Sequence, residues 1–257
     1  MVVQFGPLIT EMTWEEVRDA IAEGYGVLLM IGSTEQHGPH LPLATDTLVS
    51  LAIAKGVAER TRTLVASPLY YGYKSKPLSG GGQSFPGTTS LRGATLTALV
   101  QDIVSEFIRM GFKKITVVSN HYENTGFMYE GIDLAMREAK DPSVRVISMD
   151  NPEATVNQKA LLSLYPGDFP GWDVEHAAIM ETSLMLALYP DLVRKDRIID
   201  DQSQRHPPYD MIPAPPDTIP ASGVLYKATL GNEELGIQLH EMITDGITSA
   251  IRGEFGD

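Results

Sequence analysis

The strongest constraint on this chain is an alternation of short apolar runs with segments of helical period. Val27 to Ile31 is a continuous apolar run bounded by Gly26 and Gly32. Ile115 to Ser119 and Val144 to Met149 repeat the pattern, and Leu64 to Ser67 is a shorter version. A run with no polar face is buried on both sides, as inner strands of a parallel sheet are. Between the runs, Thr13-Trp14-Glu15-Glu16 reads as a capping box that opens a helix to about Glu23. A second helix is predicted from about Asp46 to Arg60. Leu96, Leu99, Val100, Ile103, Phe107 and Ile108 mark a third that ends near Gly111, and a fourth runs from about Phe127 to Lys140. His176 to Leu188 and Glu233 to Arg252 complete the helices, and Tyr70 to Ser90 reads as a long loop. The alternation predicts an α/β fold with a mainly parallel sheet, whose ligands bind at the C-terminal strand ends.

No internal repeat or second boundary interrupts the 257 residues, so a single domain over 1–257 is expected. Pro207 to Pro220 holds six of the 17 prolines and reads as a surface excursion, with Tyr209, Met211 and Ile212 as packing groups. The net charge of -13 repels phosphate backbones and argues against nucleic acid as a partner. With no cysteine, disulfides and thiolate metal sites are excluded, and a metal must be held by His and carboxylate. Residues 1–12 lack the pattern of a signal peptide, and no apolar stretch is long enough to span a bilayer. The expectation is a cytoplasmic protein with no membrane partner.

The chemistry concentrates at the predicted strand ends. The segment from Gly32 to Asp46 packs Glu35, His37, His40 and Asp46 into one post-strand loop. Glu35 and His37 are two apart, which in extended backbone puts both on one face, as two ligands of one site need. Asn120-His121-Tyr122-Glu123-Asn124 repeats a His/Glu pair after another strand. His/carboxylate sets of this kind suit zinc or manganese. A third cluster, Trp172-Asp173-Val174-Glu175-His176, has Glu181 five residues further on and offers a general acid/base beside an aromatic. Lys74 to Gly82 is glycine-rich but lacks the Gly-Lys-Ser/Thr ending of a phosphate loop. His206 and His240 read as surface residues.

Taken together, these motifs resemble the creatininase family of creatinine amidohydrolases. The resemblance rests on Glu35-Gln36-His37-Gly38-Pro39-His40 with Thr45-Asp46, on Tyr71-Gly72-Tyr73-Lys74-Ser75, and on Phe85-Pro86-Gly87-Thr88-Thr89-Ser90. Asn120 to Asn124, Gly171 to His176 and the run from Glu181 to Asp191 complete it, from about residue 8 to 255. It implies a three-layer α/β/α sandwich, a homohexamer and two divalent ions per chain, zinc and/or manganese. It implies that Glu35, Asp46 and His121 hold one metal and that His37, Asp46 and Glu123 hold the other. Ser79, Tyr122, Trp172, Asp173 and His176 match substrate-contact positions, with Glu123 and His176 catalytic and His176 moving a proton. The implied reaction opens a small cyclic amide with metal-activated water, as in creatinine to creatine.

One departure bears on the substrate. The family enzyme carries a tryptophan on the loop after the Val144–Met149 run, whereas this chain reads Ser148-Met149-Asp150-Asn151-Pro152-Glu153. A second expectation is therefore the same metal chemistry on another small ring, such as 3-dehydro-scyllo-inosose. A catalytically silent metal-binding oligomer is the third.

Overall fold

The computed structural model describes residues 8–205, 207–216 and 218–256. Its frame is a four-stranded, wholly parallel sheet: β1 (Gly26–Ile31), β2 (Thr63–Val65), β3 (Lys114–Ser119) and β4 (Arg145–Met149), in the order β2-β1-β3-β4. Every residue of β1 is buried, because helices cover both faces of the sheet. The side chains divide by the two-residue period of a strand. Leu28 and Met30 enter one core, with α2 (Thr45–Ala58), α5 (Gln158–Leu164), α6 (Ile179–Leu188) and α7 (Glu233–Phe255). Val27, Leu29 and Ile31 enter the other, with α1 (Trp14–Ala22), α3 (Gly93–Met110) and α4 (Thr125–Ala139). This is the three-layer α/β/α sandwich.

Local signals account for several boundaries. Thr13 and Glu16 form the expected capping box, the threonine side chain meeting the Glu16 N–H and the glutamate reaching back to the Thr13 N–H at 2.6 Å. Gly111 ends α3 in the left-handed region at φ 107°, where a side chain would be strained.

Four features differ from expectation. The helix predicted from His176 begins at Ile179, because Trp172–Val174 forms a 3-10 turn and Ala177 adopts a left-handed φ of 52°. The helix α5 was not expected. Tyr209, Met211 and Ile212 do not pack inward: all three are exposed, Ile212 at 89%. His240 is half-buried on α7 with Nε2 enclosed, whereas His206 lies outside the described residues. Among the described residues no helix is long and apolar enough to cross a membrane.

The strand order positions the site. The chain leaves β1 toward β2 on one side and returns through α3 to β3 on the other. The C-terminal ends of β1 and β3 therefore flank the switch point of the sheet, where a crevice opens in folds of this kind. The loops from Gly32 and Asn120 both start there.

Candidate metal centre

The loop after β1 is tied down before it reaches its ligands. The Glu35 N–H donates to the Leu43 carbonyl at 2.9 Å, and the Gln36 N–H to Thr88 Oγ1 at 2.9 Å. Asn124 joins this loop to two others: its side-chain amide donates to the Gly32 carbonyl at 3.0 Å, and its Oδ1 accepts the Tyr73 N–H at 2.8 Å. The Asn120 N–H donates to the Ile31 carbonyl at 2.9 Å, so the second ligand loop starts directly beside the first.

Two histidines are oriented by the nitrogen that faces away from the cluster. His121 Nε2 donates to the Tyr73 carbonyl at 2.8 Å, which leaves Nδ1 bare, 3.1 Å from Glu35 Oε1 and 3.4 Å from Asp46 Oδ2. His37 Nδ1 donates to the Glu35 carbonyl at 3.2 Å, which leaves Nε2 2.8 Å from Asp46 Oδ1 and 3.5 Å from Glu181 Oε1. Fixing a ring through its far nitrogen is how metal-binding histidines are usually held. Two groups of three result, Glu35–Asp46–His121 and His37–Asp46–Glu181. Asp46 gives one oxygen to each.

The chemistry of this donor set fits divalent cations. Glu35 Oε2, His37 Nε2 and Asp46 Oδ2 are buried with no hydrogen-bond partner, a costly arrangement unless something else satisfies them. The field points the same way. Burial opposes charge on both rings, yet Glu181 and Asp46 hold His37, and Glu35 and Asp46 hold His121, well above the ordinary imidazole range. Burial likewise opposes charge on Asp46, but the two imidazoles keep its carboxyl well below the usual range. Buried carboxylates that stay ionised and hold protons on neighbouring imidazoles this strongly attract metal cations too.

The expected ligands are thus not all brought together. Glu35, His37, Asp46 and His121 converge, but Glu123 lies on the opposite side of the His121 ring, its Oε2 3.5 Å from Nε2. Glu123 Oε1 instead accepts from the Ser79 hydroxyl, and from the Lys76 N–H at 3.2 Å. Tyr122–Asn124 is a 3-10 turn, so His121 and Glu123, two apart, do not share a face as they would in extended backbone. Glu181 takes the place beside His37. It sits in the first turn of α6, with Oε2 accepting the Ala177 N–H at 2.6 Å. An acidic residue in the first turn of a helix just after a Glu-His pair was the available signal.

His176 approaches from a third direction. Its Nε2 lies 2.8 Å from the Gln36 carbonyl and 2.9 Å from the Gln36 side-chain nitrogen. That amide already donates to the Gly80 and Gly223 carbonyls, both at 2.9 Å, so its two hydrogens are used. His176 Nε2–H therefore donates to the Gln36 carbonyl, and Nδ1 is the free basic nitrogen, 3.8 Å from Glu35 Oε1. The close packing around Gln36 needs glycine at 223, since a Cβ there would come within 1.9 Å of Gln36 Oε1. His40 stands behind the centre, bonded to Thr182 at 2.9 Å, and burial lowers its pKa to about 4.

The five residues matched to substrate contacts surround the cluster. Ser79, Tyr122 and Asp173 line one cavity; Tyr122 and Trp172 line a second, which also touches His121 and Glu181. His176 is buried between the cluster and Gln36. Gln36 and Glu153 are not marked as site residues by the sequence motifs, and Glu181, marked there only as a neighbour of the third cluster, stands beside His37 and Asp46.

The chain is similar to known proteins over nearly its whole length. The model of the creatininase (creatinine amidohydrolase) family matches residues 10–251. The chain is 45% identical to creatinine amidohydrolase of Pseudomonas putida over 96% of both chains. It is 25% identical to 3-dehydro-scyllo-inosose hydrolase of Thermotoga maritima, over 96% of this chain and 83% of that one. A crystal structure of creatininase superposes with a TM-score of 0.94 at 44% identity, covering 99% of this chain and 100% of that one. A manganese form of creatininase superposes with a TM-score of 0.93 at 44% identity, covering 98% of this chain and 100% of that one.

Proposed function

The chain belongs to the creatininase family, and from that premise we propose that it opens a small cyclic amide, creatinine to creatine, with two divalent cations. It is a hydrolase acting on cyclic amide C–N bonds. One observation carries the two-cation reading: Asp46 turns Oδ1 toward His37 and Oδ2 toward His121, so a single carboxylate spans two ligand groups. A third group, Glu35–His37–His176, also lies close together but does not include that bridge. In this proposal Glu35, Asp46 and His121 hold one ion, and His37, Asp46 and Glu181 hold the other, zinc and/or manganese. Creatininase structures in zinc–zinc and manganese forms support the choice of metals. Glu181 replaces Glu123 as the third ligand of the second ion.

Cations bound there polarise a carbonyl and acidify water near neutral pH. The chain's own residues do the rest. Water adds to the amide carbon, the ring C–N bond breaks, and a linear carboxylic acid results. His176 Nδ1 takes the proton that the attacking water releases and delivers it to the departing nitrogen. Gln36 keeps that nitrogen free by anchoring Nε2. Glu123 accepts the Ser79 hydroxyl and so fixes it in the cavity that Ser79 shares with Tyr122 and Asp173. Tyr122 and Trp172, 58% and 36% exposed, are free to close over a bound ring and exclude water. The same reading includes a homohexamer in the cytoplasm.

The test is a substrate assay on purified, metal-loaded protein. Creatinine should yield creatine, seen directly by proton NMR. No creatine from creatinine, together with turnover of 3-dehydro-scyllo-inosose, would replace the amide by the other ring.

A further inference from the structure

The cavity between Tyr122, Trp172 and the ligands carries an acidic wall that the reaction above does not use. It encloses about 100 Å³. Glu153, Glu175 and Glu181 line it, and among the described residues no lysine or arginine does. Two of these carboxylates are engaged. Glu175 accepts from the Tyr165 hydroxyl at 2.9 Å and from the Met180 N–H, and Glu181 faces His37 and the Ala177 N–H. Glu153 differs. Among the described residues its carboxylate accepts only from its own backbone N–H. Partial burial, with the Glu181 carboxylate nearby, pushes its pKa up to about 7.

The turn that bears Glu153 is held rigidly. Asn151 Oδ1 caps it through the Ala154 N–H at 2.7 Å, and the Thr155 hydroxyl donates to the Pro152 carbonyl at 2.8 Å. The turn lies so close on α7 that a Cβ at Gly246 would come within 2.3 Å of Thr155 Oγ1. Glu153 is therefore presented to the cavity, on the loop that lacks the tryptophan expected from family resemblance.

An acceptor with spare capacity, walled by aromatic rings and by other acids, suits a donor that is flat and cationic or polarised. We infer that Glu153 determines substrate specificity by receiving the N–H groups of an amidine or guanidine on the ring, while the ring carbonyl faces the metal ligands. This rests on the reading of the cavity as the substrate site. A carboxylate and a guanidinium pair through two parallel hydrogen bonds, a stronger and more selective contact than neutral donors make.

The experiment compares metal-loaded wild-type protein with Glu153→Gln and Glu153→Asp, using guanidinium ion as a binding probe and creatinine as substrate. Glu153→Gln should weaken guanidinium binding about tenfold, a loss expected of a hydrogen bond to a charged group. It should raise KM for creatinine by a similar factor and leave kcat nearly unchanged, with Glu153→Asp intermediate. Binding of acetamide and metal content should match wild type, which a merely structural role for Glu153 would not produce. Equal guanidinium affinity in wild type and Glu153→Gln would overturn the inference, as would Glu153-dependent binding of an inositol in its place. Creatinine turnover with the same KM in both proteins would leave the reaction standing and remove this role. Glu153-dependent guanidinium binding without any creatinine turnover would do the reverse.

Discussion

The metal centre and the cavity wall face each other across one site but are built in different ways. The ligand loops leave β1 and β3 at the middle of the sheet, and backbone hydrogen bonds tie them to it: Asn120 N–H to Ile31, Glu35 N–H to Leu43. The wall comes from residues after β4, an edge strand, through two 3-10 turns and the short helix α5. Its order depends on side chains such as Asn151, Asn157 and Tyr165. The central strands can hold a fixed ligand geometry, whereas the wall can change one residue without disturbing the sheet. On the proposed reading, the hydrolytic chemistry follows from the fold and the choice of ring from the loop.

The harshest way to break the metal half is Asp46→Asn, which removes the charge shared by both ligand groups. Activity should fall by on the order of 10³-fold, as when a main electrostatic stabiliser is lost. Elemental analysis should show that both ions bind more weakly. Loss of one ion with the other held as tightly as before would mean that Asp46 does not bridge.

A finer division concerns two glutamates. Glu181→Gln should lower metal content toward one ion per chain, because it removes a carboxylate from beside His37. Glu123→Gln should retain more metal than Glu181→Gln, while kcat drops by about 10²-fold from the disturbed Ser79 contact. The opposite order of metal loss would return Glu123 to the ligand role that family resemblance implied.

This pair also shows where the sequence was legible. The apolar run of β1, the capping box at Thr13 and the polar loops at two strand ends follow local rules, and each stands in the structure. Glu35, His37, Asp46 and His121 were readable because they lie next to those strands. Glu181 was not, since it reaches His37 across 144 residues of chain, and only the packing of α6 against α2 brings it there. Glu123 turns to the far side of the His121 ring because Tyr122–Asn124 is a 3-10 turn and not a continuation of the strand. Gln36 looked like a spacer between two ligands, yet its amide joins three loops, a role that depends on carbonyls at Gly80 and Gly223 far along the chain.

The gentlest test concerns the wall and uses Glu175. Burial raises its pKa to about 8, against the partial relief given by the Met180 N–H and the Tyr165 hydroxyl. The folded protein therefore keeps a proton on Glu175 at pH values where the unfolded chain, titrating near the ordinary ~4.3, has lost it. Proton binding by the folded state exceeds that of the unfolded state between those two values, so stability falls as pH rises through that window. Glu175→Gln removes the titrating group while keeping an acceptor for the Met180 N–H and a polar partner for the Tyr165 hydroxyl. Melting temperatures should be read with chelator present, so that cation binding adds no pH dependence of its own. The variant should gain on wild type steadily from pH ~5 to ~8, by roughly 2–4 °C for each kcal/mol of penalty removed. Melting curves that stay parallel across that range would mean that the wall tolerates the Glu175 anion, and with it the contrast between an unscreened acidic wall and a charge-balanced metal centre would fail.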